Sequence, residues 1–182
     1  KITAYAIPII FAITVHEAAH GYAARYFGDM TAHYLGRISL NPLKHIDPVG
    51  TIILPALTVM LGGILFGWAK PVPVNFSNLR NPKKNMMWVA LAGPFSNLLM
   101  AIFWTFLYAR LQLFPDSSIF FLQVMALAGI QINLILMVLN MLPIPPLDGG
   151  RVAVSLLPYP WSSYIENLER YGLFIIIFLL FS

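Results

Sequence analysis

Val15-His16-Glu17-Ala18-Ala19-His20 sits inside an otherwise apolar run from Ile2 to Phe27. On an α-helix, positions i and i+4 stack on one face, so His16 and His20 are expected to present their imidazoles side by side. Glu17, one residue on, can reach a water held between them. Two nitrogens for a metal and a carboxylate to take a proton from water form the His-Glu-x-x-His pattern of zinc-assisted hydrolysis. As plain core, the cluster would leave charge and donors uncompensated in a long apolar helix. The pattern therefore predicts a metal site on a helix.

The surroundings of that helix are apolar throughout. Of 182 residues, 59% are hydrophobic and 10% charged, with a mean hydropathy of +0.76. Soluble domains carry about 25% charged residues, so this composition belongs in a lipid bilayer and excludes a soluble zinc hydrolase. The length suits one bundle, a single domain over 1–182. With no cysteine, disulfides and thiolate metal ligands are excluded. No cleavable leader is expected, because the first apolar run contains the motif itself. The net charge is +4, and the placement of its bases says more than the total. Arg25, Arg37, Lys44, Lys70, Arg80, Lys83 and Lys84 fit a cytosolic positive-inside face, not a nucleic-acid surface.

Ile2 to Phe27 is long enough to span, at about 20 residues per crossing, and Gly28-Asp29 offers a stop. Tyr34 to Leu40 alternates apolar and polar residues, which predicts a short strand ended by Asn41-Pro42. Pro71-Val72-Pro73-Val74-Asn75 predicts a second. Val49 to Gly67 is apolar but broken by Pro55 and Gly62-Gly63, so it either crosses or dips in and returns. Met86 to Tyr108 and Ile119 to Leu142 are clear spans without a charge. Residues 151–170 look interfacial, with Tyr159, Trp161 and Tyr164 at headgroup level. The predicted fold is a polytopic transmembrane helix bundle with a small membrane-associated β element.

A hydrolytic zinc needs three protein ligands and an open position. The third ligand comes from His33, His45, Asp29, Asp47, Asp116, Asp148, Glu166 or Glu169. Asp148 stands out, since prolines free its backbone from a spanning helix and two glycines permit a tight fold back. An ordinary surface turn would suit Pro-Pro-Leu-Asp-Gly-Gly as well.

His16-Glu17-Ala18-Ala19-His20 together with Asn140-Met141-Leu142-Pro143-Ile144-Pro145-Pro146-Leu147-Asp148-Gly149 resembles the paired signature of the site-2 proteases, a family of intramembrane zinc metalloproteases. The second half matches Asn-x-x-Pro-x-x-x-Leu-Asp-Gly at every fixed position. Gly93-Pro94-Phe95-Ser96-Asn97, residues 41–48 and residues 68–75 also resemble short bacterial members, so the likeness covers nearly the whole chain. The resemblance implies one zinc per chain held by His16, His20 and Asp148, with Glu17 as general base. It implies Asn140 in contact with substrate backbone. It places Asn97 as helping to position substrate or the Asp148 loop, with an interhelical hydrogen bond as the alternative. The implied substrate is a transmembrane segment of another protein, cut within the bilayer of a bacterial cell membrane near the cytosolic side. A membrane zinc-binding or metal-transport protein is the competing class. It would need ionisable residues on several spans, and Met86–Tyr108 and Ile119–Leu142 have none.

Two further expectations follow. His16 and His20 lie about 10–17 Å before the end of their helix, at about 1.5 Å per residue. They meet Asp148 only if the first helix and Ile119–Leu142 end on the same side, so Val49–Gly67 should add no net crossing. An unwound substrate must also have its amides satisfied. Pro71 and Pro73 strip donors from one edge of their strand, leaving Val72 and Val74 as a docking edge, with an extended connector or pairing to the Leu35–Leu40 strand as the alternatives.

Overall fold

The apolar run that carries the motif folds as one helix, α1 (Ile2–Tyr26), with Pro8 buried within it. The computed structural model describes residues 2–60, 67–114 and 119–172, with 175 and 178. Gly28, at φ +113°, ends α1 in a left-handed conformation that a side chain would strain. Asp29 N–H then closes onto Ala24 O at 2.9 Å. A short helix, α2 (Thr31–Tyr34), a 3-10 turn at Pro42–His45 and a π-helical turn at Pro48–Ile53 lead into α3 (Leu54–Met60). Pro82, in the first turn where its missing N–H costs nothing, starts α4 (Pro82–Leu111), and α5 (Phe120–Asn140) follows. The chain finishes its described course with α6 (Asp148–Leu156) and α7 (Trp161–Asn167).

Helices α1, α4 and α5 pack on one another pairwise, and α6 packs on α4. Their contacts are made by small and polar residues. Ala4, Ala12, Ala18 and Ala24 of α1, Ala90 and Ala101 of α4, and Ala126 and Ala128 of α5 are buried. So are Thr14, His16, Asn97 and Asn133. At Gly129 the approach is tightest, because a Cβ there would overlap the Trp104 indole. Large apolar side chains face outward instead, among them Phe11, Phe95, Phe103, Phe106, Ile135 and Val138. A water-soluble bundle would bury those side chains, whereas close-packed small residues with an apolar exterior suit helices packed in lipid. By length and composition, α4 and α5 are each able to cross a membrane.

Among the described residues there is no strand, so the expected β element is not formed. Tyr34 is the end of α2, and Leu35 and Gly36 form its closing turn. Residues 71–75 make no ladder, and side chains bond part of their backbone instead. Val72 N–H donates to Glu17, Asn75 N–H donates to Asp29, and Arg37 donates to the carbonyls of Lys70 and Pro71. The Val49–Gly67 stretch lies partly outside the described residues, as does the end of the final apolar segment.

Candidate metal centre

Continuous α-helical geometry through residues 16–20 sets the His16 and His20 rings edge to face, with centroids 4.7 Å apart and planes at 84°. Asp148 reaches them from the far end of the sequence. Pro143, Pro145 and Pro146 cannot extend α5, and the chain doubles back into α6. Gly149 and Gly150 pass so close to the backbone of Met141, Leu142 and Pro145 that a Cβ on either would overlap it. The fold-back sets Asp148 Oδ2 3.2 Å from His16 Nε2 and Oδ1 3.3 Å from His20 Nε2. The two Nε2 atoms are 3.0 Å apart.

Each imidazole is held by its other nitrogen. His16 Nδ1 donates to Asn97 Oδ1 of α4 at 2.6 Å, and His20 Nδ1 donates to the Val89 carbonyl of α4 at 2.7 Å. Both partners accept only, so each Nδ1 carries a proton, and in the neutral ring each Nε2 then presents a lone pair. With both rings neutral, the 3.0 Å approach of the two Nε2 atoms is a meeting of two acceptors. The carboxylate adds two more, and its buried Oδ2 has no hydrogen-bond partner. Three converging acceptor groups repel unless a cation lies among them. Their spacings are near the about 3.3 Å edge of a tetrahedron with bonds of about 2.0–2.1 Å, the zinc–nitrogen and zinc–oxygen range. The space is kept by Gly93 of α4, where a Cβ would fall 2.6 Å from His16 Nε2 and also against His20 Nε2. Two imidazoles, one carboxylate and no thiolate fit a zinc with an open position.

Glu17 lies beside this cluster, half-buried, its Oε2 accepting Val72 N–H at 2.7 Å. The same peptide group carries the Pro71 carbonyl, to which Arg37 Nη2 donates at 3.2 Å. A guanidinium and a carboxylate thus sit at opposite ends of one peptide. The Val72 amide is committed to Glu17, so it is not a free donor for a docked strand, and the Val74 side chain packs against the cluster of Ala24, Leu79 and Val89. The segment is fixed downstream by Asp29, which is fully buried. Burial opposes its charge, but donors from Thr31, Asn75 and Asn78 outweigh it and hold the Asp29 carboxyl below the usual carboxylate range.

Asn140, half-buried at the end of α5, donates to the Leu136 carbonyl at 2.9 Å. Asn97 is fully buried and joins α1, α4 and α5 by hydrogen bonds to His16, Ala12 and Asn133, the interhelical alternative weighed from sequence. Among the described residues, His16, His20 and Asp148 are the His/Asp/Glu group able to hold a metal; Asp29 and His45 lie elsewhere and are bonded within loops. Sequence reasoning missed four contributors to the site: Val89, whose role is its carbonyl alone; Gly93; Arg37; and Asn133. A polar residue in an apolar span was a signal for Asn133. No side-chain signal exists for Val89.

A helical bundle that aims two imidazoles and a carboxylate at one point beside a glutamate has the architecture of a metal-dependent hydrolase. The profile of peptidase family M50 matches residues 112–181. YwhC of Bacillus subtilis (strain 168), named as a candidate zinc metalloprotease, is 39% identical over 179 residues, covering 96% of this chain and 78% of that protein. Rip2 of Mycolicibacterium smegmatis, named likewise, is 33% identical over 94% of this chain and 64% of its own length. The protein MJ0611 of Methanocaldococcus jannaschii, with the same kind of name, is 29% identical over 81% of this chain and 66% of its own. No solved structure shows a significant match. The chain belongs to the site-2 protease family, peptidase family M50, a family of zinc metalloproteases.

Proposed function

We propose that this protein is an intramembrane zinc endopeptidase that hydrolyses peptide bonds within or near transmembrane segments of other membrane proteins. The observation that carries the reading is the convergence of His16, His20 and Asp148 beside Glu17, inside a bundle with large apolar side chains outside. His16, His20 and Asp148 hold one zinc per chain. Bound there, zinc supplies Lewis acidity to activate a water and polarise the scissile carbonyl. Glu17 is the general base. Its Oε2 is occupied by Val72 N–H, so its other oxygen takes the proton from the attacking water and delivers it to the leaving amine. Asn140 contacts the substrate backbone at the mouth of the site, while Asn97 acts on His16 rather than on substrate.

The substrate reaches the site as a locally unwound segment, since peptide bonds inside a helix are shielded by their own hydrogen bonds. α1, α4 and α5 cross the bilayer, with 25, 30 and 21 residues. The basic side chains between α1 and α4 lie on the cytosolic face of a bacterial membrane. The bilayer and single-span membrane proteins are thus the partners.

The test is detergent-purified protein incubated with a panel of single-span substrates, beside Glu17→Gln. The wild type should cleave within an apolar segment. Glu17→Gln should keep its zinc and lose at least about a hundredfold in rate, the scale of general-base catalysis. Equal cleavage by both proteins, or no zinc in either, contradicts the reading.

A further inference from the structure

We propose that Asn133 is a positioning residue that fixes the tautomer of His16 through Asn97. It rests on reading His16 as a metal ligand. Asn97 and Asn133 are both 0% exposed, in the middle of helices with apolar exteriors. The direction of every hydrogen bond between them is forced from one end. The Gly129 carbonyl only accepts, so the Asn133 atom 2.8 Å from it is the amide nitrogen. Asn133 Oδ1 therefore faces Asn97 and accepts from its Nδ2 at 2.9 Å. The second hydrogen of that nitrogen points to the Ala12 carbonyl at 3.3 Å. Asn97 then has only its oxygen to offer His16 Nδ1, 2.6 Å away, and the ring proton must sit on Nδ1. Nε2 is left with its lone pair directed at Asp148 and His20.

Reversal of the Asn97 amide inverts the outcome. Its NH₂ group would face Nδ1, the proton would move to Nε2, and a protonated nitrogen cannot bind a metal. With Asn133 in place, reversal would also set two carbonyl oxygens against each other in a buried site. Without it, only the longer Ala12 contact holds the amide. His20 has no such dependence, because the Val89 main-chain carbonyl that orients it cannot turn over. The two ligands thus differ in how their tautomers are set, and His20 is an internal control.

The experiment uses the full chain in detergent, labelled with ¹⁵N-histidine; the four histidines give a small spectrum. Zinc-free wild type should show both His16 and His20 protonated at Nδ1. In Asn133→Leu, which removes the acceptor, His16 should shift to the Nε2-protonated form or a mixture while His20 is unchanged. Zinc binding, by chelator competition, should weaken about 10–100-fold, the usual cost of losing a group that orients a ligand. Asn133→Asp, protonated in this buried site, still donates to the Gly129 carbonyl and accepts from Asn97, and should keep both the tautomer and the affinity; their loss in the similarly sized Asn133→Leu is what a merely space-filling role would not explain. Should Asn133→Leu not fold, Asn133→Val gives the same readings. Unchanged His16 signals with zinc affinity within threefold of wild type overturn the proposal. Absence of zinc binding in the wild type would instead contradict the metal-site reading, leaving the tautomer signals to decide this one.

Discussion

The two sides of the candidate site are held in different ways. On the ligand side, His16 and His20 are pinned from within the bundle by Asn97 and by the Val89 carbonyl, across packed long helices. On the base side, Glu17 is pinned by a single amide from an irregular segment, Lys70–Asn75, tied down by Arg37 and Asp29. Helix packing gives the first its rigidity, whereas side-chain bonds to backbone give it to the second. The difference teaches that metal binding and base orientation should fail separately.

The strongest way to break the ligand side is to fill its space. Gly93→Ala adds a Cβ against both Nε2 atoms, whose rings cannot swing away while their Nδ1 atoms are held. We expect zinc content to fall below about a tenth of wild type, activity to vanish, and helicity to stay. Alanine favours a helix over glycine by about 1 kcal/mol. Elemental analysis and circular dichroism on one preparation check this.

On the base side, Val72→Pro removes the amide that holds Glu17 while leaving the chain extended. A hydrogen bond to a charged group is worth about 1.5–3 kcal/mol, so turnover should drop about 10–100-fold. Zinc content should be unchanged, which sharpens the contrast with Gly93→Ala. Loss of metal in Val72→Pro would show that the two sides are coupled.

The smallest effect concerns Asp29 and pH. Its carboxyl is held below its ordinary range, so between that lowered value and about 3.9 the unfolded chain binds more protons than the folded one. The Asp29 contribution to stability is therefore present above about pH 4 and lost as pH falls through the lowered value. Asp29→Asn should lower the unfolding temperature by a few degrees at pH 7 and flatten its decline in acid. Thermal scans of both proteins in the same detergent, from pH 3 to 7, read the difference.

What was legible in the sequence follows the same divide. α1, α4 and α5 were readable because long, mostly apolar runs favour a helix packed in lipid, and the i, i+4 histidines needed only a helix to converge. Asp148 was singled out by its Pro and Gly neighbours, whose backbone limits are local. The base side was not readable. Alternation at Tyr34–Leu40 and Pro71–Asn75 suggested paired strands, but the amides of residues 34–37 close local turns, and the Val72 amide, the Asn75 amide and the Pro71 carbonyl go to Glu17, Asp29 and Arg37, partners distant in sequence. Alternation reports which way side chains point and says nothing of what the amides bind.

The account stands most directly on who holds the metal. X-ray absorption at the zinc edge, on wild type and Glu17→Gln, counts and identifies the ligand atoms. We predict one zinc per chain with two imidazole nitrogens and the remaining ligands oxygen, at about 2.0–2.1 Å, the same in both proteins. A third imidazole, or a zinc shell that is altered or missing in Glu17→Gln, would contradict it.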